Sequence, residues 1–475
     1  MASFWSASFA ACVFCLLAGD YLQIWQRSGL GSTLQGFFPE GKGSFAKETQ
    51  GLQGTMNQSN NIVHKDHQLA FAPDQSAESC KLEAGHEFAS GLIVQGACTC
   101  LPGLECTLHI RSFLEEHWDT DDKMAQELLV VFEGPARAIA RLEPDNKNSA
   151  FAAWRARYQI WDPGSYRVSV QAGCTARSQS VILATFGVQV SGFEGLGTRP
   201  RPTPCDFGQH GRWLLDQPSK DYRWIPFPCA PPLVNTETFP QEIRRRGYGR
   251  IVFIGDSHQR MLYMHLKFLL DGRAIVADYD RHVDFTSTIN EGDPESELQL
   301  RFYWVDGIYR NGQDGCRNRG RYSRREDSFP EIAASDDSIF VLDAGAWSAT
   351  FCDRPLQAYT RHILPFIDWG ASLVRGNSTL VWRTAPPSVW FCERKNGILH
   401  HFNEITSHLL SGRIPEVKVF DSWQIEAPRF RDADPISHYS WTEPNANGNG
   451  TLVMAGPVGK AVVHAFMTWV LENHN

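Results

Sequence analysis

Beyond an apolar stretch at Phe4–Gly19, the chain has no further run of about 20 apolar residues, the length a bilayer-crossing helix needs. It has no basic excess: 45 Lys and Arg stand against 53 Asp and Glu, for a net charge of −8. That balance argues against a nucleic-acid binder, which normally presents a basic surface. The ten cysteines after the apolar stretch contain no Cys-x-x-Cys pair, so the usual zinc spacing is missing there. No internal repeat is found, which removes solenoids and propellers. What remains is ordinary globular composition, 42% hydrophobic and 21% charged. At 475 residues the chain is too long for one core, so two domains plus linkers are expected. Fifteen Trp and 29 Phe serve large cores in the simpler reading and sugar-stacking surfaces in the sharper one.

The apolar stretch is interrupted by Asp20, and no Lys or Arg precedes it. Its length suits a signal-peptide core. Tyr21, Leu22, Ile24 and Trp25 follow before Arg27, so residues 1–26 read as a signal peptide or an uncleaved signal anchor. The later cysteines are Cys80, Cys98, Cys100, Cys106, Cys174, Cys205, Cys229, Cys316, Cys352 and Cys392. An even count in a secretory context implies up to five disulfides, with pairing that spacing does not reveal. Asn57, Asn377 and Asn449 open Asn-x-Ser/Thr sequons. The bulk of the chain is therefore expected to enter the secretory pathway, as a single-pass type II membrane protein or secreted, touching a membrane only through its N-terminus.

Residues 27–79 are rich in Gly, Gln, Ser and Asn and read as a flexible stem. The stretch His64-Lys65-Asp66-His67 within it reads as solvated linker rather than a metal site. Residues 80–195 read as a β-sandwich. Apolar and polar residues alternate in Trp154–Ile160 and again in Tyr166–Val170, and Asp162-Pro163-Gly164 between them marks a turn, so a hairpin is expected. Leu128–Phe132 and Val181–Val190 read as further strands. A Pro-rich joint at Gly197–Pro204 follows, and residues 196–475 change grammar. Strand-like runs at Ile251–Ile254, Ser338–Leu342, Thr379–Trp382 and Val417–Phe420 alternate with helix-like stretches at His258–Leu270 and Leu356–Trp369, and Val458, Val462, Phe466 and Trp469 lie at helical spacing near the end. This pattern predicts an α/β domain, a parallel sheet flanked by helices.

The candidate nucleophile is Ser257 in Gly255-Asp256-Ser257-His258. An apolar strand ends, Gly255 permits a tight turn, and a helix begins. That places Ser257 at the carboxyl edge of the sheet, where open α/β folds bind ligands, and at a helix N-terminus that favours developing negative charge. A serine there needs a base to carry an acyl group. His438, in Asp434-Pro435-Ile436-Ser437-His438, is the candidate, with Asp434 orienting it and Asp432 as runner-up. The bland alternatives are an N-cap serine at a turn and a surface histidine in a polar loop. The basic stretch Arg310–Arg325 reads as a solvated loop, and His400-His401 as the start of a helix.

Several blocks in the second half carry a resemblance. They are Cys205-Asp206-Phe207 with Gly211-Arg212-Trp213, then Tyr222-Arg223-Trp224 and Cys229; Gly255-Asp256-Ser257 with Arg260; Phe340–Trp347, containing Asp343, Gly345 and Trp347; and Val381-Trp382-Arg383-Thr384. Over about residues 205–470 the chain resembles the PC-esterase branch of the SGNH hydrolases, which includes the trichome-birefringence-like polysaccharide acetyltransferases. The β-domain before it is similar to that of neurexophilin-and-PC-esterase proteins, where an immunoglobulin-like domain comes first. The resemblance implies an Ig-like β-sandwich followed by an SGNH-hydrolase-like α/β domain. It implies O-acyl transfer, in the first instance of acetyl, in the Golgi lumen from an acyl donor to a glycan acceptor, with no cofactor and no metal. It also implies a Ser257–His438–Asp434 site, with Gly255, Asp256, Arg260, Asp343, Gly345, Trp347 and Arg383 around the oxyanion and substrate. Two departures stand out. The closing block has one residue more than the family's Asp-x-x-His, and Asp343 replaces an Asn whose amide could donate to an oxyanion, which a carboxylate cannot do. A secreted carbohydrate esterase and a non-catalytic binding protein are the alternatives.

Overall fold

The computed structural model describes residues 86–88, 91–97, 99–112, 128–144, 152–174, 180–191, 211–230, 234–275, 283–305, 308, 316, 332–352, 355–387, 393–414, 416–433, 438–444 and 452–473. The stem, the joint at 192–204 and the Arg310–Arg325 loop, apart from Cys316, lie outside the described residues.

The first part of the fold is two antiparallel β-layers. Strands β1 (His86–Glu87), β2 (Leu92–Gly96), β4 (Glu105–Ser112), β7 (Arg141–Pro144) and β8 (Ala152–Gln159) form one sheet, ordered β1-β2-β4-β8-β7. The other holds β3 (Thr99–Cys100), β5 (Leu128–Glu133), β6 (Ala136–Ile139), β9 (Gly164–Cys174), β10 (Ser180–Val190), β11 (Gly211–Asp216) and β12 (Asp221–Pro226), ordered β12-β11-β6-β5-β9-β10-β3. Within it only β3 runs parallel to its neighbour, β10. The alternation that predicts the strands fills the space between the sheets. Leu108, Ile110, Trp154, Ala156 and Tyr158 come from one side, and Val130, Phe132, Tyr166, Val168 and Val170 from the other, all buried in one core.

Strands β8 and β9 lie where expected, but they are not a hairpin. β8 pairs with β4 and β7, and β9 pairs with β5 and β10. The Asp162-Pro163-Gly164 turn carries the chain from one sheet to the other. The Tyr166 hydroxyl pins this corner: it donates to the Asp162 carbonyl at 2.8 Å and accepts the Ala136 N–H at 3.2 Å. Alternation reports only that one face of each strand is buried. It cannot distinguish strands side by side in one sheet from strands facing each other across a core.

The hairpin β11–β12 lies beyond the joint in sequence, yet β11 pairs with β6 and extends the second sheet. It also ties the β-layers to the rest. Trp213, fully buried, donates its indole N–H to the Ile425 carbonyl at 2.7 Å and lies under the Arg429 guanidinium, 4.8 Å from the ring centre.

The remaining chain is α/β. After α1 (Phe239–Arg245) come β13 (Arg250–Gly255), α2 (Ser257–Asp271), β14 (Phe285–Ile289), β15 (Leu298–Trp304), β16 (Ser338–Leu342), α3 (Ala346–Phe351), α4 (Pro355–Ser372), β17 (Thr379–Arg383), α5 (Glu393–Arg413), β18 (Lys418–Phe420), α6 (Trp423–Glu426), a 3-10 segment at Ala427–Asp432, a small hairpin β19–β20 (Trp441–Pro444 and Leu452–Ala455) and α7 (Pro457–Asn473). The sheet order is β14-β15-β13-β16-β17-β18. β15, β13, β16, β17 and β18 are mutually parallel, and β14 is an antiparallel edge. Both faces are covered, which is why these strands read as continuous apolar runs. Ile251 and Phe253 of β13 join a core with α2 and α7, and Val252 and Ile254 join a second core with α4 and α5. Counted along the chain, the parallel strands stand in the order 2-1-3-4-5. The connections reverse direction at β13, whose neighbours are β15 and β16, and open α/β sheets of this order bind ligands outside the carboxyl ends of those strands.

Candidate active site at the head of helix α2

Strand β13 runs into α2 through one tight step. Gly255 ends the strand so close to β16 that a Cβ there would lie 2.8 Å from the Asp343 carbonyl oxygen. Asp256 caps the helix by accepting the His258 N–H at 2.9 Å. Ser257 is then the first helical residue and is half-buried. Its surroundings are the reversal point of the sheet and the N–H end of a helix, which together suit an anionic or acyl group.

His438 comes to the second residue of α2, His258, from the far end of the chain. Its ring is buried and meets the His258 ring edge-on, with centroids 5.6 Å apart. Two residues on, Ser440 Oγ and His265 Nδ1 are hydrogen-bonded at 2.7 Å, both buried. His258 and His265 are seven residues apart, on one face of α2, so the segment from His438 to Ser440 runs along that face. Tyr439 is held from both sides. Its hydroxyl donates to the Pro387 carbonyl at 3.0 Å, and its own carbonyl accepts the Gly459 N–H at 3.1 Å. Glycine is required at 459, because a Cβ would sit on the Ser440 hydroxyl oxygen. Asp434 lies outside the described residues. Asp432, the runner-up, is ion-paired with Arg429 and stands 3.8 Å from Arg137. Asp421 accepts a hydrogen bond from the Thr384 hydroxyl at 3.1 Å.

Beneath Ser257 is a buried network of charges. Arg383 is only 2% exposed. It donates to the His258 carbonyl at 3.0 Å, the Gln259 side-chain oxygen at 3.2 Å, Ser422 Oγ at 3.1 Å and Glu426 at 2.9 Å. Its guanidinium also stands 4.0 Å from Asp343. Burial pushes the Asp343 carboxyl up to about 6, against the pull of Arg383, and Glu426 up to about 7. Asp256 is raised well above the usual carboxylate range, first by burial and then by Asp343 beside it. His258 is pushed well below the usual imidazole range by burial, then by His438, Arg383 and Arg260, so it stays neutral.

Arg260, Asp343 and Arg383 were expected around the substrate, and all three are buried. Arg260 lies over the Trp304 ring, 5.6 Å from its centre, and Trp347, partly buried, packs edge-on against the same ring at 6.0 Å. Gly345, with φ of 144°, opens α3. Sequence reading did not find Gln259, His265, Ser422, Glu426 or Ser440. The seven-residue spacing of His258 and His265 was a visible signal; the others are joined only by the fold.

Among the described residues no three His, Cys, Asp or Glu side chains are placed to hold a metal ion, and no helix is long and apolar enough to cross a membrane. Disulfides link Cys100 to Cys106 and Cys316 to Cys352, and Cys229 is also disulfide-bonded. No protein-family model matches the chain, and a search of curated proteins finds no match.

Proposed function

We propose that the protein is a secretory-pathway O-acyltransferase that moves an acyl group, in the first instance acetyl, onto a glycan hydroxyl through Ser257. The reading rests on one observation above all. Ser257 opens α2 at the reversal point of a doubly wound sheet, and the loop bearing His438 is anchored along that same helix. An SGNH-type domain accounts for this arrangement. For the β-layers we infer an Ig-like sandwich. Taking β2, β4, β8 and β7 as A, B, E and D, and β5, β9 and β10 as C, F and G, gives the two-sheet division of that fold, with Tyr166 as its tyrosine corner. The disulfides suit an oxidising lumen.

In this reading Ser257 Oγ attacks the acyl carbonyl of the donor while His438 takes the hydroxyl proton. The tetrahedral oxyanion is met by N–H groups at the head of α2. The donor's leaving group departs with the proton from His438, and Ser257 carries the acyl group as an ester. A sugar hydroxyl then attacks that ester, His438 accepts its proton, and Ser257 is released with the proton returned. Asp434 would orient the imidazole. Water in place of the sugar gives the esterase reading. The binding-protein reading draws on Asp343, a carboxylate shut beneath the site where the family resemblance expects an amide.

The test is incubation of the purified protein with isotope-labelled acyl donors and a panel of glycans. Wild type should acylate at least one glycan. Ser257→Ala and His438→Ala should each remove this activity, by about 10³-fold or more, because such groups act as a unit. Folded Ser257→Ala and His438→Ala variants that retain activity would overturn the assignment.

A further inference from the structure

A cavity of about 820 Å³ lies between the β-layers and the α/β layer. Its β-side wall includes Trp161, Arg212, Trp224 and Phe227, and its α/β wall includes Asp421 and Gln424. Both the size and the position between layers fit a ligand site.

The charges in the cavity narrow what it could hold. Its four arginines already have carboxylate partners: Arg137 with Glu133, Arg141 with Glu404 at 2.8 Å, Arg157 with Glu143 at 3.1 Å and Arg212 with Asp162 at 2.8 Å. A phosphate or carboxylate ligand would therefore have to compete for cations that are taken. Asp421 is in the opposite position. It is an exposed residue on the cavity wall, and its partners are the Thr384 hydroxyl, the Gln424 amide and backbone N–H groups, none of them cationic. Gln424 beside it is exposed as well. Across the cavity, Trp161 and Trp224 are only half-buried. A lipid would want an unbroken apolar wall. A chain of sugars offers what this wall matches: hydroxyls that donate to a carboxylate, and C–H faces that lie on aromatic rings.

We propose that this interlayer cavity is a subsite for an uncharged oligosaccharide, with the Asp421 carboxylate and Gln424 holding its hydroxyls and Trp161 and Trp224 its apolar faces. The inference deepens the glycan reading of Ser257, on which its biological use rests, but binding can be measured without catalysis. Asp421 follows the carboxyl end of β18, the same sheet edge that carries Ser257. β18 stands three strand places from β13, or about 14 Å at the usual spacing. Sugars held there would belong to the acceptor chain at some distance from the unit that reacts.

Isothermal titration of the full chain with neutral hexasaccharides of xylose, mannose, glucose and N-acetylglucosamine, and with an acidic oligogalacturonate, tests this. At least one neutral oligosaccharide should bind, and the acidic one should bind more weakly. Asp421→Asn and Trp161→Ala should each weaken binding about tenfold or more, while Ser257→Ala leaves it unchanged. Circular dichroism checks the fold, and Gln424→Ala, a change at an exposed side chain, replaces Asp421→Asn if that variant misfolds. Absence of binding to every neutral chain, preference for the acidic one, or full affinity in the folded cavity variants overturns the proposal. Cavity binding without acyl chemistry would instead count against the Ser257 reading alone.

Discussion

Two arginine–carboxylate networks in this molecule use the same groups to opposite effect. In the β-layers, Glu133 lies between Arg137 and Arg167, with the Arg167 bond at 2.7 Å, and all three side chains keep some contact with water. Burial raises the Glu133 carboxyl, but the two arginines outweigh it, and the net shift is downward. Beneath Ser257, Arg383 faces Glu426 and Asp343 with almost no exposure on any of them, and there burial wins, so both carboxyls are raised. The difference is a matter of solvent. A carboxylate that keeps part of its hydration needs little from its partner, whereas one stripped of water needs nearly everything. The buried network also has a structural task that the other lacks, because Arg383 holds the first turn of α2 through the His258 carbonyl.

The largest expected contrast is in stability. Arg383→Met removes the partner of Glu426 and should cost about 3–5 kcal/mol, the usual cost of breaking a buried ion pair from one side. Arg167→Met, where Glu133 keeps Arg137, should cost about 1 kcal/mol or less. Urea denaturation at about pH 8 measures both. The Arg383 deficit should shrink at about pH 5, where Glu426 can take up a proton. Equal losses at the two sites would mean that burial does not separate the networks.

The pH dependence should differ in sign. Asp343 and Glu426 have folded values raised above their unfolded ones, so their contribution to stability is complete below about 4 and is lost as pH rises through about 6 and about 7 respectively. Glu133 has a lowered value, so its contribution is present at neutral pH and is lost as pH falls. Buried histidines such as His265, pushed down to about 3 by burial, also titrate in this range, so comparing each variant with wild type isolates the carboxyls. Asp343→Asn should gain stability relative to wild type as pH rises from about 4 to about 6.5, then level off. Glu133→Gln should be less stable than wild type at neutral pH, with the deficit shrinking toward about pH 3. Profiles of the same sign would break the contrast.

How much of this could be read from sequence follows the same divide between local and long-range effects. Strands β13, β16 and β17 and helix α2 were legible because apolar runs and the turn at Gly255 are local signals, although the helix is capped by Asp256 and not by Ser257. β15 also carried one, since Leu298, Leu300, Phe302 and Trp304 alternate and are all buried, but it was not recognised. The sheet-to-sheet corner at Gly164 was misread, because alternation is blind to which sheet a strand joins. The pairing of β11 with β6 across the joint left no local trace. At the site, the strand-to-helix turn that bears Ser257 was legible as a local signal. The role of Arg383 was not, because its partners are His258, Gln259, Ser422 and Glu426, brought together only by folding.

The smallest expected effect tests whether position alone matters at the site. Ser440 bonds His265 at 2.7 Å in the buried region, and Ser165 bonds Gln189 at 2.6 Å on the exposed surface of the β-layers. Both are short hydrogen bonds between side chains, but only the first lies two residues from His438. Removing the Ser440 hydroxyl leaves a buried imidazole nitrogen without that partner and loosens the segment along α2. On the proposed reading of His438 as base, activity should respond through kcat, because the base would be misplaced in the transition state while the proposed acceptor subsite is untouched. We expect Ser440→Ala to lower kcat about tenfold with KM nearly unchanged, and Ser440→Thr, which keeps the hydroxyl, to recover part of the loss. Ser165→Ala should change neither constant. A Ser440→Ala variant with normal kcat would show that His438 is held without the His265 bond. An equal drop in Ser165→Ala would show that the assay reads general loosening of the fold rather than placement of the base.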